Sequence, residues 1–479
     1  MENKSDDKFY QYYKSFLQDI IISFPEYKDS IIENHASLLR TNYPVSEKKR
    51  AKCNKWRETV FKYCLDNGKL IAEKNSEVFT KEEAKKCLGR NIEFNSIWTS
   101  NITESTREQL WNYLQTFYML AVSDNTDSDL SSLFKNFSET LEGDSTTNEA
   151  MMANLKNITE NMLETMKDES TELTPKDIEE IGLTQIAVKE RFEGSNLSFN
   201  SILPVIQLST KMGIPLPLTE TIISNYLFSE LDIKPPNGMV TFAIESKNIK
   251  ILNGKISGNL FSVPYLNLTD QIIIIQDIDG IKKFIFIKNI DGEKEAKKNF
   301  LSEPRYNLNI ENCKIIEIKE LNKNIDFNQI GSIIRSAQMV GAMEKVIDLS
   351  IEYCSQRVQF GRSLSKFQAI QHQISEMAVE LSASTAALST LTNTDELDFK
   401  IQDVAVLKIR AGIAAGKLIA MSHQVHGAMG FTKEYELAYF TRNLNSWRND
   451  FGNETYWQNI LGKHFLEKNN LNLWEYLTN

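Results

Sequence analysis

Three neighbouring side chains have the types and spacing to hold a ligand. In the run RVQFGRSLSKFQAIQH, from Arg357 to His372, a guanidinium (Arg357), an amide (Gln359) and an aromatic ring (Phe360) stand almost side by side. A cationic fork, a polar edge and a flat ring suit a ligand that carries a phosphate, hydrogen-bonding groups and a ring system. Other constellations are weaker. His423 and His426 lie one helical turn apart, as metal ligands could, but no third ligand is visible, so packing or cofactor contact is the better reading. Gly412 and Gly416-Lys417 imitate a phosphate loop, yet the spacing is one short, no Ser or Thr follows the lysine, and the run is helical. The five cysteines (Cys53, Cys64, Cys87, Cys313, Cys354) are scattered and never spaced Cys-x-x-Cys, which points to a reducing setting and to no metal.

The elements that must position these groups can be read from periodicity. Ile330, Ile333, Ala337, Val340, Ile347 and Ile351 recur at three- and four-residue spacing and predict one long core helix before Arg357. Gly361 marks a turn, and Ser365 with Gln368 reads as a capping box that opens the next helix. Ile370, Ile374, Met377, Leu381 and Leu388 line that helix; Val404, Leu407, Ala411, Ala414, Leu418 and Met421 line another that ends near Gly427. Met339 and Met343 read as core, and the small residues from Ala411 to Gly416 permit close helix approach.

The corner resembles the flavin-binding signature of acyl-CoA dehydrogenases, Arg-x-x-Phe-Gly followed by an aromatic-or-His-Gln-x-Ile step. The resemblance continues through QVHGAMGFTKEYELAYFTRNLNSWRNDFG and covers roughly the last two-thirds of the chain, strongly from about Ile330. It implies FAD, with Arg357, Gln359, Phe360, Phe367, Gln368, His372, Gln424, His426 and Gly427 as cofactor-binding residues. It also implies α,β-dehydrogenation of an acyl-CoA thioester, an electron-transfer protein as acceptor, and a homo- or hetero-oligomer. The family base is most often a Glu after the Gly-rich turn. Phe451 falls at that position, so the adjacent Asp450 becomes the candidate catalytic carboxylate, with a base donated by a partner subunit as the alternative. The second family location, early in the long helix, falls at Gly331. The Thr-Glu-Pro-x-Ala-Gly-Ser motif that enters the family's β domain is absent. The rival to the enzyme is a catalytically inactive dehydrogenase-fold subunit or interaction protein.

The rest of the chain completes the expected architecture. It is mainly α with a central antiparallel β domain: a helical N-terminal part, a β barrel or sandwich, a C-terminal four-helix bundle, and an extra helical domain in front. Residues 1–145 read as a helical module. Phe9, Tyr13, Phe16, Leu17 and Ile20 share one face and Pro25 stops that helix; a Ser105–Glu108 capping box precedes the stripe Leu110, Leu114, Phe117, Tyr118 and Ala121. Part of this module resembles uncharacterised proteins of large DNA viruses. Residues 146–175 form an acidic linker around an amphipathic segment, Met151 to Met166. Residues 176–236 resemble a truncated dehydrogenase helical segment, in which Phe192 and Glu193 stand near the usual glycine pair and Gly194 remains. Residues 237–320 carry strand runs at Val240–Ile244, Ile249–Leu252, Ile272–Ile275 and Lys283–Ile287, with hairpin turns at Asn253-Gly254 and Asp279-Gly280. Residues 326–468 form the flavin-binding bundle. With 479 residues, 41% hydrophobic, 25% charged and a net charge of -10, the composition is that of a soluble globular protein, with no nucleic-acid partner expected. No signal or transit pattern and no membrane-length apolar run is seen, and a cytoplasmic location is expected.

Overall fold

A computed structural model describes residues 4–121 and 174–467, apart from single positions and short stretches, the longest being 40–46, 289–293, 297–302 and 394–398. The chain divides into two compact units, Met1–Glu142 and Gly143–Asn479. The expected linker segment Met151 to Met166 lies outside the described residues, as do Ser105 and Glu108.

The front unit is helical and organised by aromatic rings. Helix Lys4–Ser23 ends just before Pro25, and its face Phe9, Tyr13, Phe16, Leu17 and Ile20 is buried. Phe9 stacks on Tyr13 at 5.3 Å, and Phe117 meets Phe9, Tyr13 and Phe16 at 5.5–5.8 Å between centroids. The stripe Leu110, Leu114, Phe117 and Ala121 is buried, with Tyr118 packed at its edge. At the start of that stretch it is Thr103 Oγ1 that accepts a bond from the Thr106 amide, at 3.2 Å.

In the rear unit, helices α1 (Phe199–Lys211) and α2 (Leu218–Glu230) precede the sheet. Helix α2 is buried along its whole length up to Ser229, so its one early acidic residue, Glu220, is taken inside with it. Strands β1 (Thr241–Phe242), β2 (Glu245–Leu252), β3 (Lys255–Pro264), β4 (Ile272–Ile278), β5 (Ile281–Ile287), β6 (Lys294–Ala296) and β7 (Arg305–Glu320) form one sheet in the order β1-β4-β5-β7-β3-β2, with β6 on β7. Both expected hairpins are present: Asn253-Gly254 joins β2 to β3 and Asp279-Gly280 joins β4 to β5, all four residues at positive φ as such tight turns require. Two details differ from expectation. The strand expected at Val240–Ile244 is only Thr241–Phe242, and it pairs with β4 in parallel rather than antiparallel fashion.

Helix α3 (Phe327–Gln356) is the axis of this unit. Asp326 caps it by accepting from the amides of Asn328 (2.9 Å) and Gln329 (3.3 Å), which contributes on the order of 1 kcal/mol. Gly341 gives α1 its close crossing, since a Cβ there would overlap the backbone of Gln207. Helices α4 (Gln368–Ser389), α5 (Ile401–His426) and α7 (Glu454–Glu467) complete a bundle with α3, and α6 (Leu437–Trp447) packs across α3 and α5. On α5, Gly412 and Gly416 lie under the paired side chains of Glu454 and Arg448, so the small residues serve helix packing and not phosphate. Among the described residues no helix is long and apolar enough to cross a membrane.

Candidate functional site

The residues singled out between Arg357 and His372 do gather at one corner. After α3, β8 (Val358–Gln359) and β9 (Arg362–Ser363) form a miniature hairpin around Phe360-Gly361. Both loop residues are left-handed, φ +53° at Phe360 and +77° at Gly361. For a phenylalanine that conformation costs roughly 1–2 kcal/mol, yet its ring is 91% exposed and gains no burial in return. Arg357 is exposed and makes no ion pair or side-chain hydrogen bond among the described residues. Gln359 is exposed as well, its amide donating only to the Val358 carbonyl at 2.8 Å. The Arg362 guanidinium lies over the Phe367 ring at 4.1 Å, and Gln368 and His372 are exposed on the first turns of α4. The expected Ser365–Gln368 capping box does not form. Leu364–Lys366 is a 3-10 turn, Ser365 Oγ pairs with Ser363 Oγ, and α4 starts only at Gln368. The amide of Leu364 bonds back to Arg357 to close the hairpin, and this diverts the chain before the helix can begin.

The second sequence-predicted set lies at the end of α5, beside the end of α3. His426 stacks on Tyr353 at 4.6 Å and donates from Nδ1 to the Ser422 carbonyl at 2.8 Å; its Nε2 faces the Tyr435 hydroxyl at 3.3 Å. Tyr353 is one turn before Arg357, so both sets meet at the same end of α3. His423 stacks on Phe431 and shares a hydrogen bond with Thr441 at 3.0 Å. Burial lowers the pKa of both histidines, which favours the neutral ring. No group of residues among those described could hold a metal ion. Gln424 is exposed, and Gly427, at φ +59°, ends the helix.

Asp450 lies in a different environment. Its Oδ2 accepts from Arg305 Nη2 at 2.7 Å and pairs with Arg335 Nε at 3.0 Å. Arg305 also bonds Glu303 at 2.9 Å, and Arg335 bonds Glu220 at 3.0 Å. Trp447 Nε1 donates to Glu303 at 2.8 Å. All of these side chains are buried, Asp450 at 9% exposure being the most open of the charged ones. Burial pushes the Asp450 carboxyl up, but the two guanidiniums outweigh it and hold the group below the ordinary carboxylate range. Glu220 goes the other way: burial, with Glu303 nearby, overrides Arg335 and raises it. Lys408, donating to the carbonyls of Trp447 (2.6 Å) and Arg448 (3.1 Å), is pushed down to about 7 by burial. Periodicity could not reveal this cluster. Its one sequence signal is a lone charge inside an apolar run, as with Arg335 in IGSIIRSAQMVGAM and Glu220 in PLPLTETIIS.

The order of elements, with helices, a curled sheet crossed by a long β7, then a bundle with a hairpin corner, can be set beside known proteins. Residues 329–466 match the family described as acyl-CoA dehydrogenase, C-terminal domain. The solved ChsE4-ChsE5 complex from Mycobacterium tuberculosis superposes with a TM-score of 0.57, covering 66% of this chain and 97% of that one at 13% identity. The rear of this chain has the acyl-CoA dehydrogenase fold. Among curated sequences, 3-(aryl)acrylate reductase of Clostridium sporogenes is 26% identical over 224 residues, 43% of this chain and 58% of the relative. Caffeyl-CoA reductase-Etf complex subunit CarC of Acetobacterium woodii is 24% identical over 218 residues, 42% and 56% respectively. The chain thus spans little more than half the length of these relatives.

Within the acyl-CoA dehydrogenase fold the two positions at which the resemblance places a base, Phe451 and Gly331, touch each other. A Cβ on Gly331 would sit 2.5 Å from the Phe451 ring. That ring also packs against Phe327 (5.6 Å) and Phe242 (6.0 Å). The carboxylate of Asp450, the candidate base, is paired with Arg305 and Arg335 inside the protein, and the two guanidiniums hold its pKa below the ordinary carboxylate range.

Proposed function

We propose that this chain is a flavin-binding oxidoreductase subunit of the acyl-CoA dehydrogenase type, acting on an acyl-CoA thioester. The observation that carries this reading is the hairpin corner: an exposed, uncommitted Arg357 beside Gln359 and a strained, solvent-facing Phe360, on the fold that residues 329–466 match. The donor set fits FAD at its outer end. Arg357 offers a guanidinium to diphosphate oxygens, Gln359, Gln368 and Gln424 offer amides, and the Phe360 ring offers a face to a flat heterocycle. Bound FAD would supply a two-electron acceptor for the β hydrogen of the thioester.

The chain's own residues do the positioning. The guanidinium at the end of α3 binds the diphosphate charge, and the stacked pair Tyr353–His426 fixes the α5 end against α3 so that Gln424 and Gly427 stay at the same corner. With its ring neutral, His426 holds the Ser422 carbonyl and adds no charge there. An exposed corner of this kind is half a site, and a neighbouring subunit would close it; relatives whose names describe a two-chain complex and an Etf complex support an oligomer with an electron-transfer partner.

The test is direct. The purified full chain, reconstituted with FAD and freed of excess, should show a visible flavin spectrum, and Arg357→Ala should lose it on dialysis sooner than wild type. A wild type that takes up no flavin in the presence of a co-expressed partner would remove the reading.

A further inference from the structure

We propose that the acyl-thioester position of this chain is closed by its own side chains, so that the carboxylate removing the α proton belongs to a partner subunit of different sequence. The inference rests on the function proposed above, and three observations carry it.

First, the space is filled. Phe451 lies against Gly331 in an aromatic group with Phe242 and Phe327, and it is held in a left-handed backbone conformation, φ +57°. Its carbonyl is pinned from two sides, by Ser332 Oγ at 3.0 Å and Trp457 Nε1 at 3.1 Å. A strained residue fixed by two bonds and two neighbouring rings does not swing aside for a substrate. Second, the neighbouring carboxylate faces away into the Arg305–Arg335 cluster, where both guanidiniums need it. Third, the room beside the buried charge cluster, between α1, α2, α3 and α6 and lined by Leu218, Glu220, Tyr265, Gln338, Tyr439 and Trp447, is about 20 Å³ and admits one water.

A homo-oligomer repeats Phe451 and Gly331 in every copy, so no copy offers a carboxylate at either of these two positions. The partner is therefore a different dehydrogenase-fold chain that carries a carboxylate and an open acyl cavity. In the composite site the partner's carboxylate would take the α proton, the electron pair of that C–H bond would become the new C=C, and bound FAD would supply the two-electron acceptor for the β hydrogen.

The experiment uses the whole chain alone, FAD-loaded, titrated anaerobically with acyl-CoA thioesters from short to long. The flavin spectrum should stay unchanged while dithionite still bleaches it, and calorimetry should show no saturable thioester binding; bleaching or saturable binding by the chain alone overturns the proposal. A protein that carries no flavin counts against the function proposed above and leaves the calorimetric result to decide this one. Phe451→Ala, if the closure is as described, gains at least about tenfold in thioester affinity, which is about 1.4 kcal/mol. A folded variant that binds no better takes Phe451 out of the role. Independently of flavin, Asp450→Asn should lower the melting temperature by about 5 °C or more, because two buried guanidiniums lose their shared anion. An unchanged melting temperature would show that the carboxylate is free to do something else, and the proposal falls.

Discussion

Two phenylalanines in the same unfavourable backbone conformation sit in opposite surroundings. Phe360 and Phe451 both have φ near +55°, at +53° and +57°, but one ring is 91% exposed and the other 7%. At Phe451 the strain is offset by aromatic packing and two hydrogen bonds to its carbonyl. At Phe360 the ring meets only Phe367 edge-on at 6.2 Å among the described residues, and beside it Arg357 makes no side-chain bond and Gln359 only a local one to the Val358 carbonyl. The corner holds its polar groups out to solvent, whereas the interior pairs its charges with one another. Conservation of charge sharpens the contrast: inside, three carboxylates (Glu220, Glu303, Asp450) meet two guanidiniums (Arg305, Arg335) and a nearby lysine, Lys408.

The largest expected effect breaks the interior. Arg335→Ala takes the paired guanidinium from buried Glu220 and leaves Asp450 with Arg305 alone, and should cost roughly 3–5 kcal/mol in urea unfolding. A loss under 1 kcal/mol would mean that the cluster is not a mutually dependent unit. At the corner, Arg357→Ala should leave stability within about 0.5 kcal/mol of wild type while weakening FAD binding by ~1.5–3 kcal/mol, read by fluorescence titration. If stability and flavin affinity fall together, the two regions are not separate in function. Between these lies Gly331→Ala, whose new methyl would press on the Phe451 ring and should cost about 1–3 kcal/mol. Combining it with Phe451→Leu should recover part of that loss, and strict additivity would show that the two positions do not meet.

The smallest effect is a slope. Burial depresses Lys408 to about 7, so between that pH and its ordinary value the unfolded chain holds a proton that the folded chain has given up. Stability should therefore climb as pH rises through this window, by at most about 1.4 kcal/mol per pH unit, and stay flat below it where both states are protonated. Lys408→Met should remove the slope.

Much of the chain was legible without coordinates. Apolar spacing located the helix that became α3, the glycine dipeptides located both sheet hairpins, and small residues on α5 foretold close packing there. The corner residues were found because a hairpin is local: Arg357, Gln359, Phe360 and Gly361 are close in space for the same reason that they are close in sequence. The capping box at Ser365 failed for a local reason too, since the backbone bond from Leu364 to Arg357 took precedence over the pattern.

The interior depended on distance along the chain. Arg305 finds Asp450 across 145 residues, Arg335 finds Glu220 across 115, and Trp447 reaches Glu303 across 144. Periodicity describes which face of a helix is buried, not which charge waits on the other side. So the sequence determined the elements and the hairpin corner, while the packing of α2, α3, β7 and the loop before α7 decided the surroundings of Asp450 and Phe451. A carboxylate's role depends on which cations are desolvated beside it, and only the folded chain brings Arg305 and Arg335 to that place.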